Sequence, residues 1–178
     1  MEAAVHSWLY IKGLYPAEAF VSRNLFGLNI RSIGENTLKT YVHDFFSSIE
    51  DLHNKGILHS LTLQLLEGSS IVQSFTIKLT WIMSIYTLVD NEKVVTHSEL
   101  ENLLSRILAD FYLENLENNK EKTFQILIET VKEEASDVEE VLSRDKWALV
   151  SQDTEACSMN EVASGVFKIE WGYANPTY

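Results

Sequence analysis

Two runs of alternating residues constrain the fold most. Leu61, Leu63 and Leu65 alternate with Thr62 and Gln64; beyond Gly68-Ser69-Ser70, Phe75, Ile77, Leu79 and Trp81 alternate with Thr76, Lys78 and Thr80. A period of two sends successive side chains to opposite faces of a sheet, so each run has one buried face and one polar face. So short a turn joins antiparallel neighbours, and one-sided burial calls for helices on a single face. The chain reads as α+β, with a mostly antiparallel sheet.

Three helical stripes supply the cover. The first lies within AVHSWLYIKGLYPAEAF, residues 4–20. It reads as amphipathic and stops by Gly13, because Pro16 lacks an amide proton and biases Tyr15 away from helical dihedrals. The second starts at Glu35-Asn36, carries Leu38, Tyr41, Val42, Phe45, Ile49 and Leu52 on one face, and ends at Gly56. The third starts near His97-Ser98, with Ser98 as cap and Glu101 completing a capping box. Leu100, Leu103, Leu104, Ile107, Leu108 and Phe111 form its stripe, and burying it stabilises by about 10 kcal/mol before conformational entropy is charged against it. Residues 124–131, FQILIETV, are a strongly apolar strand expected at the centre of the sheet. Beyond Lys132 the pattern loosens. Lys146, Trp147, Ala148, Leu149 and Val150 form a short strand, a polar stretch runs through Asn160, and Val166, Phe167, Lys168, Ile169, Glu170 and Trp171 alternate again. A long loop between two short strands inside a compact domain is a functional segment or a disordered one.

Composition narrows the function classes. The 178 residues, 46% of them hydrophobic, fit one domain with no internal repeat or low-complexity linker. Net charge is −12, which repels phosphates and argues against direct nucleic-acid binding. Nine acids between Glu114 and Glu140 face only Lys120, Lys122 and Lys132; such a run is a solvated face or a dock for a basic partner. Cys157 has no internal disulfide partner, as in a reducing compartment, and no signal peptide is evident. Gln73 and Lys78 interrupt the one membrane-like stretch, residues 71–89, which reads as a buried strand rather than a span. His6, His43, His53, His59 and His97 show no metal-ligand spacing, so neither metal nor cofactor is expected. The chain has no GxSxG, P-loop or dinucleotide-binding fingerprint, which lowers the odds of an enzyme.

Four segments together carry a resemblance to a known family: AVHSWLYIKGLYPAEAF; NTLKTYVHDFF on the second helix; TFQILIETV after the third; and DKWALVSQDTE followed by ASGVFKIEW. In order and spacing they resemble the HORMA domain over nearly the whole chain. The likeness is greatest to the branch of non-catalytic accessory subunits of translesion DNA polymerase zeta. The resemblance implies one domain, residues 1–178: a core (1–131) with three helices packed on one face of the sheet, and a C-terminal safety-belt segment (132–178). It implies a non-enzymatic adaptor that traps a short proline-containing partner segment by adding it to the sheet under the belt. A DNA-damage role in the nucleus, with the cytoplasm as second compartment, follows from the same likeness.

The implied partners are an extended segment of a catalytic polymerase subunit or a similar protein, another HORMA protein in a homo- or heterodimer, and an AAA+ remodelling ATPase. The implied peptide-binding residues are Tyr41, Trp147, Leu149, Glu170 and Tyr173. Tyr41 matches the tyrosine lining the peptide channel, and Trp147 matches the belt tryptophan that packs on the ligand's prolines. Read from the residues alone, Tyr41 is equally a core residue on an apolar stripe, and Trp147 equally a packing anchor. Departures are plain: Glu170 replaces a glutamine, Gly172 replaces a tyrosine with Tyr173 beside it, Ala109 replaces the dimer-forming arginine, and the first helix begins almost at Met1. Rival readings are a spindle-checkpoint or meiotic-axis HORMA protein, an unrelated small α+β enzyme, and an oligomerisation domain.

Overall fold

The computed structural model describes residues 1–81, 96–113, 121–130, 159–163 and 167–174. Helix α1 (Glu2–Ile11) leads through a single 3-10 turn (Ala17–Ala19) into a hairpin of β1 (Phe20–Leu25) and β2 (Leu28–Ile33). Helix α2 (Asn36–Asn54), strands β3 (Leu58–Glu67) and β4 (Ser70–Trp81), helix α3 (His97–Leu113), and strands β5 (Lys122–Thr130), β6 (Asn160–Ala163) and β7 (Phe167–Ala174) follow. The five-stranded sheet has the order β5-β3-β4-β7-β6, and all its pairings are antiparallel. Phe124 meets Tyr41 of α2, Phe75 meets Phe111 of α3, and the indole of Trp171 bonds Asp110 of α3. Cross-strand register puts Phe124 opposite Leu65, Phe75 opposite Leu63, and Trp171 opposite Ile77. The helices therefore cover the face that carries Leu61, Leu63 and Leu65, as the alternation requires; the alternate positions Thr62 and Gln64, expected on an open polar face, are buried too and are satisfied by side-chain bonds to Thr76 and Ser74.

The helix ends follow from local chemistry. After α1, the Gly13 amide bonds the Tyr10 carbonyl at 3.1 Å and the Leu14 amide bonds the Leu9 carbonyl at 3.2 Å. After α2, Gly56 bonds His53 at 3.0 Å and Ile57 bonds Leu52 at 2.9 Å. Both are Schellman ends: the glycine takes a left-handed backbone (φ 63° and 72°), and the residue beyond it packs back on the helix. At the start of α2 the Glu35 carboxylate accepts from the amides of Thr37 and Leu38, and these bonds hold it below the usual carboxylate range. The α3 cap lies two residues earlier than the sequence suggested. Thr96 and Glu99 form the box: the Glu99 amide donates to Thr96 Oγ1 at 3.2 Å, and the Thr96 amide donates to Glu99 at 2.7 Å. Two overlapping Ser/Thr-x-x-Glu patterns compete here. Glu101 is drawn off to the hairpin, its carboxylate within 3.3 Å of where a Cβ on Gly27 would stand.

Two further differences from the sequence reading matter for function. The β1–β2 hairpin was not foreseen. Its two-residue turn, Phe26-Gly27, has positive φ at both positions, and the Phe26 ring is pinned edge-on against His97 at 5.3 Å. Helix α1 is not amphipathic in the folded chain but buried nearly all round, from Ala4 through Leu9, because β2, α2 and α3 enclose it. Its His6 Nδ1 lies 3.0 Å from Ser32 Oγ on β2. Burial pushes the His6 imidazole below its ordinary range, against a weaker upward pull from Glu2.

Candidate functional site

Strand β5 is the end strand of the described sheet, not its centre. It pairs with β3 from Thr123 to Ile128 and beyond, and among the described residues no strand pairs with its other side. The apolar run that suggested a central place is explained by one covered face rather than two neighbours: Ile126 is the strand's one buried residue. A sheet edge of this kind presents a row of backbone donors and acceptors. Beside it stands an aromatic group from three elements. The Phe124 ring has Tyr15 edge-on at 6.3 Å and Tyr41 edge-on at 6.2 Å. Tyr41 is 51% exposed, so it lies at the surface although it falls on the α2 stripe. Burial raises the Tyr15 hydroxyl above the ordinary phenol range, with Tyr41 and Glu35 adding to the shift. Tyr15 thus stays a protonated donor.

The opposite edge ends on a four-residue strand. Strand β7 pairs with β4 from Ser74↔Ala174 to Trp81↔Phe167, and β6 closes the outside of β7. Trp171 is 1% exposed. Its indole N–H donates to Asp110 Oδ2 at 2.6 Å, and the Asn160 side-chain amide donates to the same oxygen at 2.8 Å. The Arg106 guanidinium lies over the Trp171 ring at 5.4 Å. One carboxylate on α3 therefore ties down both C-terminal strands. Tyr173 packs on Phe75 at 4.8 Å with Lys12 over its ring. Glu170 faces the other way: with Glu161 it clasps Lys168 at 2.9 and 3.0 Å, and those two bonds raise the Lys168 ammonium's pKa.

Of the five residues singled out by resemblance, three fall on described backbone. Tyr41 lies at the β5 edge; Glu170 and Tyr173 lie on β7, three strand spacings or roughly 14 Å across the sheet. The structure does not bring them together. Trp147 and Leu149, with Lys146, Ala148, Val150 and Val166, lie outside the described residues. Phe167, Lys168, Ile169, Glu170 and Trp171 do form a strand, and β6 occupies Asn160–Ala163 at the end of a stretch read as polar loop. Sequence reasoning missed Tyr15, Phe124, Asp110 and Asn160. Only the Tyr15-Pro16 corner and the aromatic at the head of β5 left any signal in the sequence.

No family model matches the chain, and no curated protein matches it by sequence. Solved structures do resemble it. A chain of the mitotic checkpoint complex superposes with a TM-score of 0.70 at 19% identity, covering 99% of this chain and 94% of that one. C. elegans HTP-2 bound to a HIM-3 closure motif gives 0.68 at 11% identity, covering 97% and 85%. HTP-2 bound to HTP-3 closure motif 1 gives 0.69 at 12%, covering 97% and 81%. At such identities the likeness speaks to architecture: this chain has the HORMA fold.

Proposed function

We propose that the protein is a non-enzymatic adaptor that clasps an extended segment of a partner protein along the outer edge of β5. The observation that carries this reading is the asymmetry of the sheet. The C-terminal hairpin is committed to the β4 side and ends on a four-residue strand, whereas the nine-residue β5 has, among the described residues, no strand on its outer side and has the rings of Tyr15, Tyr41 and Phe124 beside it. A guest strand there gains main-chain hydrogen bonds, and the aromatic faces select its side chains; proline suits them, having little rotamer entropy to lose. In two of the similar solved structures the HTP-2 chain is bound to a closure motif, which supports a peptide as guest. In this reading Trp147 and Leu149 meet the guest from the strap that links β5 to β6. Glu170 and Tyr173 hold the strap's anchor strand.

The finer assignment we propose is an accessory subunit of a translesion polymerase acting in the nucleus, with the catalytic subunit's proline-containing segment as guest. It rests on the AVH-xx-LY opening and the Trp147-Ala148-Leu149 run. A second HORMA protein and an AAA+ ATPase are the further partners of this reading. A checkpoint role is the second reading, favoured by the likeness to the mitotic checkpoint complex chain. Panning the full chain against displayed random peptides identifies the guest. Proline-containing sequences are expected, with Tyr41→Ala and Trp147→Ala each losing most binding at an unchanged melting temperature. Guests without proline that bind both variants normally contradict the reading.

A further inference from the structure

The face of the sheet turned away from the helices carries an order of its own. At one level Ser74, Gln64 and Gln125 stand directly opposite one another on β4, β3 and β5. Hydrogen bonds chain their side chains: Gln125 Nε2 donates to Gln64 Oε1, and Gln64 Nε2 donates to Ser74 Oγ at 3.3 Å. Both bonds run the same way, from β5 toward β4, and the middle rung is fixed in place, since Gln64 is buried. In-register amide ladders of this kind join strand to strand beside the main-chain bonds. At its β5 end this one offers an acceptor, because Gln125 turns its N–H inward. Four residues along the same face, the row from β7 to β5 reads Glu170, Lys78, Ser60 and Glu129. The Ser60 hydroxyl donates to the Glu129 carboxylate at 3.1 Å, and Glu129 is exposed.

We infer that this face selects the guest: the strand that pairs with β5 carries asparagine or glutamine opposite Gln125, and lysine or arginine opposite Glu129. The inference rests on the β5 reading and adds to it the guest's side-chain pattern. A strand added there lies about 4.8 Å from β5, with facing Cβ atoms about 5 Å apart, so its amide stands to Gln125 as Gln125 stands to Gln64. Continuing the ladder in the same sense requires the guest to donate. Asparagine and glutamine do so; ionised aspartate and glutamate only accept and are rejected. At Glu129 charge decides, since an opposite charge across the strands is favoured and a like charge is not. The chain's net charge of −12 strengthens that preference. Intervening guest residues fall on the other face, on the side of Phe124 and Ile126, where proline and apolar side chains fit. The order of the two positions also fixes direction: the amide precedes the cation in a guest parallel to β5 and follows it in an antiparallel one.

The test is panning of displayed random peptides on the full chain, on Glu129→Lys and on Gln125→Val, with alignment of the selected sequences and titration of one of them. The unaltered chain is expected to enrich asparagine or glutamine at one position and lysine or arginine four residues away. In the selected peptide, alanine at the amide position weakens binding about fivefold, the effect of one neutral hydrogen bond, and glutamate weakens it further. Glu129→Lys exchanges the selected cation for an acid and keeps the amide. Gln125→Val exchanges the amide for an apolar residue and keeps the cation. A residue that only supported the strand would weaken all peptides alike and change neither position. Selected peptides that slow amide exchange along β5 yet lack the amide or the cation overturn the pattern and leave the β5 reading standing, as do preferences that survive both replacements. Peptides that protect another part of the chain, or no selected peptide at all, overturn both.

Discussion

The two long edges of the sheet differ in how they end. On the β7 side the sheet ends on the short strand β6 and is fastened: a buried indole, a carboxylate on α3 and a side-chain amide on β6 meet within 2.8 Å. On the β5 side the described sheet simply stops, and its neighbours are a half-exposed tyrosine and a rim of rings. Tryptophan and aspartate at the first edge are buried or bonded to each other; tyrosine and phenylalanine at the second pack edge-on, with Tyr41 half in water. The lesson is that a C-terminal segment can be part of the core: its last strand is held there by a buried indole. Strand β7 lies beyond the boundary at residue 131 that resemblance suggested for the core, yet Trp171 is among the most buried side chains of the described residues.

That contrast is easiest to break at Trp171. Replacing it with alanine removes a fully buried indole and is expected to cost about 3–5 kcal/mol in urea unfolding, enough to leave the fold marginal. Asp110→Ala comes next. It strands the indole N–H and the Asn160 amide, for about 1–3 kcal/mol. A double-mutant cycle with Trp171→Phe measures how much of that loss belongs to the pair. At the other edge, Tyr41→Ala changes stability by less than about 1 kcal/mol, since half of the side chain already faces water. Its effect falls on peptide affinity, read by fluorescence anisotropy with a selected peptide. A large stability loss at Tyr41, or none at Trp171, erases the distinction between the edges.

The smallest effect concerns α1, which lies between the two. The folded state holds His6 neutral below its usual pKa of 6.5, chiefly through burial. Below about pH 6.5 the unfolded chain binds a proton that the folded chain refuses, so stability falls with pH until the depressed folded value is passed, then levels. Urea midpoints at pH 7.5 and pH 5 show this slope, and His6→Asn flattens the part of it that belongs to this ring.

Much of this architecture was legible because it rests on local periodicity. Leu61 to Leu65, Phe75 to Ile77, and the Leu103, Leu104, Ile107 and Phe111 stripe all lie where alternation or helical spacing puts them. Gly13 and Gly56 announced their helix ends through the backbone they alone adopt readily. What failed was whatever depends on a partner distant in sequence. An apolar strand such as β5 reads the same at the centre of a sheet as at its edge, because the pattern records burial of faces and not the presence of neighbours. Asp110 looks like any polar residue flanking a stripe, and its role appears only when Trp171, 61 residues later, donates to it. The β1–β2 hairpin was hidden for another reason. Four of the six β1 side chains are exposed, so it shows no alternation, and its turn uses phenylalanine where asparagine or aspartate would have signalled it.

The central claim is that a guest strand lies on the outer edge of β5. Site-resolved amide hydrogen exchange, with and without a saturating selected peptide, tests it directly. Alternate amides between Lys122 and Thr130 should slow sharply on binding, because every second N–H points away from β3, while β6 and β7 amides keep their rates. Unchanged exchange along β5, or protection that appears instead on β6, would contradict it.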